Sequence, residues 1–491
     1  MSSDAPDEDV TLRVGAALGC EAPTPGHALE IRLKGREIAA IAAVPVADPS
    51  VLKRVALPAF VNAHDHGWGL RTLAFGALDR PLEQWIPALS QMPPVDPYLA
   101  ARVAFVRMAR SGIGATVHCH NALRADQLVE DAGRVKAAAR EVGLRVAFSC
   151  PIFDRNAVAY GGPEVLTPYL DPADRARLRE RLPQFVPGEE QLAAIEAVAA
   201  AHEDEDFQVQ IGPIGPQWCR DETLAAIAEA SRRRDRRIHM HLLETETQRR
   251  WSDSVYPEGI VRFLDGLGFL SPRLTVAHGV WLDEADCGLL AERGVTLAVN
   301  TVSNLRLRSG LAPLARIRSA GLRYGFGLDA MSLDDGDDAL RDFRLAFYLH
   351  QGEAADGLDA RGFLNALSGD GAVAIDGERG GGAIATGVPA DIAVFDLSRC
   401  SRDLLLDDLD PFELLMARGT RRDLDALYVA GRAVVSGGRC IGTDLAEAER
   451  ELQTAAEGHA CLAPEERAFT ARISAALARC YTDGAHLGKA G

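Results

Sequence analysis

Eight short runs rich in β-branched, aromatic and small apolar residues recur along the chain, each followed by a longer stretch with helical spacing. The runs are ALPAFVNAH (from Ala56), GATVHCH (from Gly114), LRVAFSC (from Leu144), FQVQIGP (from Phe207), RIHMHLL (from Arg237), LTVAHGV (from Leu274), TLAVNTV (from Thr296) and RYGFGLD (from Arg323). Between them lie DPYLAARVAFVRMARSG, DQLVEDAGRVKAAAREVG, EEQLAAIEAVAAAH, DETLAAIAEASRRR, DEADCGLLAERG and LAPLARIRSAG, several closing on Gly, the residue that accepts the left-handed backbone at a helix end. Strands that alternate with helices run parallel, because each crossover helix returns the chain to the same end of the sheet. Eight such units predict an α/β fold, the (β/α)₈ TIM-type barrel.

The flanks have a different pattern. TLRVGAALG and HALEIRLKGREIAAIAAV before the barrel, and GVPADIAVFDLS and DALYVAGRAVVSGGR after it, show strand alternation broken by Gly turns. They predict one small β-sandwich built from both ends of the chain: residues 1–56 and 376–443 form it, 57–375 form the barrel, and 444–491 read as C-terminal helices without evident chemistry. The Gly-rich run GDGAVAIDGERGGGAIATG reads as a linker into the sandwich, and the acidic Glu203 to Asp206 as a solvated loop.

The 491 residues, 47% hydrophobic and 25% charged, suffice for a large core. A net charge of -17 argues against nucleic acid or an anionic membrane as partner, since both reward clustered Lys and Arg. A small neutral or cationic ligand fits better. MSSDAPDEDV has no basic and then apolar leader pattern, and no run approaches the ~18 apolar residues of a membrane span. Nine cysteines stand singly, without CxxC pairs, which suits reduced thiols in the cytoplasm.

In a barrel of this kind the chemistry sits at the C-terminal ends of the strands. His64 and His66 end the first strand, where a spacing of two predicts both imidazoles on the inward face. His241 ends the fifth, His278 the sixth and Asp329 the eighth. Imidazoles and a carboxylate converging on one point make a first-row metal site, suited to zinc or iron, with a position left for water.

These motifs carry a resemblance. NAHDHG, HLLET, AHGVWLDE, SNLRLRSGLAP, GLDAMSLDD and the tail GVPADIAVFD look like the amidohydrolase superfamily, in particular its branch of cytosine, guanine and S-adenosylhomocysteine deaminases and triazine hydrolases, over roughly residues 25 to 440. The resemblance implies that His64, His66, His241 and Asp329 bind one catalytic metal ion, zinc or alternatively iron, with His278 beside it. Binuclear members carry a bridging lysine on the fourth strand; FQVQIGPIGP has none, which implies a single ion. VNTVSN stands where relatives often have HxPxSN. A homodimer is likewise implied by resemblance only.

The chemistry so implied is hydrolytic deamination of a purine, pyrimidine, pterin or triazine-type ring. A bound metal lowers the pKa of its water toward ~7, giving hydroxide at neutral pH. Asp329 and His278 would take the water's proton, and Glu244, three residues after His241, would protonate a ring nitrogen. Substrate contacts are expected from Trp68, Arg71 and Trp85 after the first strand, His118, His120 and Asn121 at the end of the second, Gln217 and Trp218 after the fourth, and Asn304 after the seventh. Trp281 also falls near this face, and flat aromatic walls suit a planar heterocycle. His118 and His120 repeat the HxH spacing and could hold a second metal. Substrate or supporting contacts are favoured for them, because relatives place no ligand on that strand.

Alternatives keep the fold and change the bond broken: loss of chloride or an alkylamine from a triazine-like ring, or opening of a cyclic amide. A non-catalytic scaffold would lack ligands, and here the set is complete. A nucleotide-phosphate enzyme would need a Gly-rich phosphate loop, which the chain does not offer.

Overall fold

Proline and small residues punctuate the apolar run ALPAFVNAH, and the chain changes sheets there. Pro58 has no amide hydrogen to extend a ladder; beyond it the Ala59 N–H donates to the Asp391 carbonyl (2.9 Å) and the Phe60 N–H to the Gly112 carbonyl (2.9 Å). One predicted strand is therefore two. The computed structural model describes residues 9–121, 125–330, 336–351, 357–377, 382–406 and 408–489. Before the switch lie β1 (Val10–Val14), β2 (Ala16–Ala17), β3 (His27–Lys34), β4 (Glu37–Pro45) and β5 (Arg54–Pro58). After it come β6 (Phe60–Asp65), β7 (Ile113–Cys119), β8 (Arg145–Ile152), β9 (Phe207–Pro213), β10 (Ile238–Leu242), β11 (Leu274–His278), β12 (Thr296–Val299) and β13 (Arg323–Phe326), then β14 (Ile392–Asp396), β15 (Leu424–Val429), β16 (Arg432–Ser436) and β17 (Arg439–Cys440).

Strands β6 to β13 form one parallel sheet in sequential order. A parallel bridge between Asp65 and Asp329 joins its two edges, as a (β/α)₈ barrel requires. Side-chain size alternates along the strands as the closed sheet demands. Val146, Phe148, Cys150 and Ile152 of β8 face the helices, while Ala147 faces inward; Leu297 and Val299 of β12 face out and Ala298 in. The interior is lined by Val61, Ala63, Ala115, Val117, Cys119, Ala147, Ala277 and Ala298, and Ala372, Ala374 and Ile375 pack against them.

Those last three belong to the helix Gly371–Asp376, which plugs the barrel. The linker expected over GDGAVAIDGERGGGAIATG is thus corrected in its first part; Glu378–Gly381 lie outside the described residues. AVAI is too short to signal a helix by periodicity, and it folds as one because the barrel mouth buries it. Glycines permit the insertion: a Cβ on Gly325 would lie 2.6 Å from the Gly371 Cα.

The sandwich joins both ends of the chain, with β1-β3-β4 facing a six-stranded sheet ordered β17-β16-β15-β14-β5-β2. Val14, Ile31, Leu33, Ile38, Ile392 and Val394 fill the space between the layers. The acidic loop is a tether rather than a freely solvated segment: Asp204 pairs with Lys136 (2.5 Å) and Arg140 (2.9 Å), and Asp206 with Arg36 (2.5 Å). The C-terminal helices Leu445–Ala456 and Pro464–Thr482 cover the helix Pro97–Ala109 and the segments Leu82–Trp85 and Ile86–Gln91.

Barrel closure depends on a close backbone approach. A Cβ on Gly327 would meet the His64 nitrogen at 2.9 Å, its oxygen at 2.8 Å and Asn300 Oδ1 at 2.3 Å. We expect Gly327→Ala to destabilise the fold by about 1–3 kcal/mol, the usual cost of overpacking. A lowered midpoint in urea denaturation checks it; an unchanged midpoint would show that the seam has slack.

Candidate metal centre

The end strands meet through two backbone hydrogen bonds, from the His66 N–H to the Asp329 carbonyl (2.8 Å) and from the Asp329 N–H to the His64 carbonyl (2.9 Å). Three groups that are far apart in sequence thereby share one point. His64 Nε2 lies 3.0 Å and His66 Nε2 3.4 Å from Asp329 Oδ1, and His241 Nε2 lies 3.4 Å from His66 Nε2. His64, His241, His278 and Asp329 offer ligand atoms all within 4.8 Å of one another. Strict two-residue alternation would not do this. Val61 and Ala63 line the interior, and a register irregularity between Asn62 and Asp65 turns the next residue, His64, inward as well. His66 lies beyond the strand, so the expectation that a spacing of two alone aligns the pair is corrected.

Each ring has its other nitrogen engaged. His66 Nδ1 donates to the Cys119 carbonyl (3.1 Å), His241 Nδ1 to the Ile214 carbonyl (2.6 Å), and His64 Nδ1 faces His239 Nε2 (2.7 Å). An imidazole whose Nδ1 carries the proton presents its Nε2 lone pair to a metal. Burial pushes the His278 ring down to about 4, so it is neutral. Its Nδ1 donates to Asn304 Oδ1 (2.8 Å), and its buried Nε2 makes no hydrogen bond among the described residues. Burial would raise the Asp329 carboxyl, yet the imidazoles of His64, His66 and His278 around it hold it well below its ordinary range; its other oxygen accepts from Ser303 Oγ. His278 (φ 75°) and Asp329 (φ 65°) both adopt left-handed backbone, a strain that non-glycine residues sustain where a site is over-determined. Three imidazole nitrogens, a carboxylate and a buried unpartnered nitrogen fit a divalent cation.

Glu244 is buried beside this centre, its Oε2 3.6 Å from His278 Nε2 and its Oε1 accepting from Ser309 Oγ (3.3 Å). Burial first, and then Asp329 and Glu83, raise its carboxyl well above the usual range. Its position is fixed through Gln248, which accepts from the Glu244 N–H (2.7 Å) and donates to Gln217 Oε1 (2.6 Å).

The remaining expected residues are dispersed. Trp68 stacks on His66 (centroids 5.0 Å) and leans on Trp85. Trp218 packs edge-on to Tyr160, and the Trp281 indole donates to the Ser309 carbonyl. Arg71 turns outward to Asp337 and Glu449. His118 and His120 leave the barrel axis: His118 stacks on Phe148, its Nε2 is 3.4 Å from His120 Nδ1, and His120 Nε2 is 3.1 Å from Asp131. With Asn121 they line a cavity of about 450 Å³ that reaches back to His66 and Trp68. Met331–Asp335 of GLDAMSLDD lie outside the described residues.

Four supporting residues escaped sequence reasoning. Ser303 and Ser309 are ordinary serines until the fold aims them. Glu83, buried, accepts from Thr245 Oγ1 and from Tyr160 OH (3.3 Å). The Tyr160 N–H in turn donates to Tyr481 OH (3.2 Å) of the C-terminal helix, so that helix braces the site from outside. His239 did have a signal, the HxH spacing of HMH.

An amidohydrolase family model matches residues 55–434. A 5'-deoxyadenosine deaminase of Methanosarcina mazei is 28% identical over 411 residues, 82% of this chain and 86% of the relative. A 5-methylthioadenosine/S-adenosylhomocysteine deaminase of Thermococcus kodakarensis is 29% identical, covering 70% and 75%, and an 8-oxoguanine deaminase of Pseudomonas aeruginosa 26%, covering 80% and 85%. Among solved structures, a zinc complex of an atrazine chlorohydrolase from Arthrobacter aurescens superposes with a TM-score of 0.75 at 22% identity, covering 91% of this chain and 99% of that one.

Replacing His241 or Asp329 by Ala should strip the bound metal. Elemental analysis of purified protein is expected to fall from near one equivalent to near none, and full retention in either variant would remove that residue from the ligand set.

Proposed function

Because this chain belongs to the amidohydrolase family, we propose that it is a metal-dependent aminohydrolase that deaminates a small aminated N-heterocycle, an aminopurine first among them. The observation that carries this is Glu244: a carboxyl raised by burial and held 3.6 Å from His278 over the donor cluster is a proton donor placed at a reacting centre. The aminopurine preference rests on relatives that act on 5'-deoxyadenosine, S-adenosylhomocysteine and 8-oxoguanine.

His64, His66, His241 and Asp329 would hold one divalent ion, zinc by the preference of that donor set. Its chemistry when bound is Lewis-acid activation of water. Glu244 Oε2 gives its proton to the ring nitrogen next to the amino-bearing carbon, making that carbon electrophilic. His278 Nε2, neutral and without another partner, and Asp329 Oδ1 accept the proton that the attacking water loses. Returned to the exocyclic nitrogen, that proton lets ammonia leave, while the new hydroxyl gives its proton to the Glu244 carboxylate and becomes the carbonyl. The stacked Trp68 and His66 present a flat wall suited to the ring.

Nine unpaired cysteines support a reducing compartment, the cytoplasm, and among the described residues no helix is long and apolar enough to cross a membrane. The proposal extends to a homodimer, supported by the outward apolar stripe of Leu345, Tyr348 and Leu349 on the helix Ala339–Gln351.

Ammonia release by the zinc-loaded protein is the direct test, against 5'-deoxyadenosine, S-adenosylhomocysteine, 8-oxoguanine, guanine, cytosine and a melamine-type triazine. Release from one ring is expected, while silence across the panel with metal bound would sink deamination in favour of ring opening or chloride displacement. Glu244→Gln should keep its metal and lose about 10²–10⁴ in turnover, the range of a general acid; full activity in that variant would remove Glu244 from the mechanism.

A further inference from the structure

Beneath the donor cluster, inside the barrel, sits a second group of buried side chains that the proposed chemistry does not use: His239, Cys119 and the inner edge of His64. We propose that His239 is the positioning residue for the metal centre, accepting the proton of His64 Nδ1 and so holding that imidazole in the tautomer and ring orientation that present Nε2 to the ion.

Topology explains how the two meet. β6 and β10 are the first and fifth of eight strands and stand across the barrel from each other. On β10, Met240 and Leu242 face the helix-packed core, so His239 and His241 share the inward face, one rung apart. The upper imidazole reaches the donor cluster, and the lower one reaches His64. The small interior residues Ala115, Ala147, Ala277 and Ala298 leave room for rings to meet at the axis.

The contact is specific. His239 Nε2 lies 2.7 Å from His64 Nδ1, and the two rings are 9° from coplanar with centroids 5.0 Å apart, the geometry of an in-plane hydrogen bond. Cys119 Sγ, the other neighbour of that nitrogen, is 3.4 Å away and is a weak acceptor. His64 can offer Nε2 to a cation only when Nδ1 carries the proton, and His239 is the strong acceptor for it. His66 and His241 give their Nδ1 protons to backbone carbonyls; His64 alone of the three relies on a side chain. His239 is 1% exposed and its Nδ1 makes no hydrogen bond among the described residues. A buried ring with an unpaired nitrogen is costly and has no merit as packing.

This inference rests on the proposed metal centre, and the test separates the two. Zinc and cobalt(II) affinities would be measured by competition with a chromophoric chelator for the parent protein and for His239→Phe, His239→Gln, Cys119→Ser and His64→Ala. Loss of a partner that orients a metal-bound imidazole typically weakens metal binding 10–100-fold. That loss is expected for His239→Phe, with recovery to within about threefold in His239→Gln, whose amide oxygen can accept the same proton, and no loss in Cys119→Ser. The visible spectrum of the cobalt(II) form should shift in His239→Phe and return in His239→Gln, which a purely structural role would not produce. Parent-like affinity in a folded His239→Phe, or equal loss in both His239 variants, overturns the positioning role alone. A parent protein whose metal affinity is no better than that of His64→Ala overturns the metal centre and the positioning role together.

Discussion

The seam between β6 and the end of β13 is the constraint on which the site depends. Two backbone hydrogen bonds there tie His64 and His66 to Asp329, so closing the barrel and assembling the ligands are one event. Gly327 makes the seam possible because any side chain would strike the His64 backbone. A barrel left open at this edge would hold the donors on separate sheet margins. With the proposed metal centre, fold stability and metal affinity would be coupled through the same few atoms.

Around the seam the protein prepares each donor differently. Backbone carbonyls take the protons of His66 and His241, a neighbouring imidazole faces that of His64, and an asparagine takes that of His278. Burial acts in opposite senses on two neighbouring groups: it keeps His278 neutral and raises the Glu244 carboxyl above its ordinary range. In the proposed reaction the same low-dielectric environment would supply a base and an acid side by side. The cover that maintains it includes the C-terminal helix, whose Tyr481 reaches the site through Tyr160 and Glu83.

Legibility in the sequence followed the range of the interactions. Strand and helix periods are local, so the eight β/α units could be read directly, and a histidine or aspartate ending an apolar strand stands out against its neighbours. The helix Gly371–Asp376 could not be read, because its four apolar residues acquire a helical fate only against the barrel mouth. Nor could the Glu203–Asp206 loop, whose acidic run looks solvated until Lys136 and Arg140 of one helix and Arg36 of a strand turn arrive.

The histidines mark the same boundary most sharply. Residue type and position along the chain carried the barrel, its catalytic end and the chemistry of its donors, since these follow from apolar periodicity and from where polar groups interrupt it. Direction was decided only in three dimensions. His118 and His120 have the same spacing as His64 and His66, yet the first pair stacks outside the barrel on Phe148 and the second joins the centre. The register irregularity between Asn62 and Asp65 in β6 inverts the parity of one strand relative to the other, and such an irregularity belongs to the pairing of strands rather than to either strand alone.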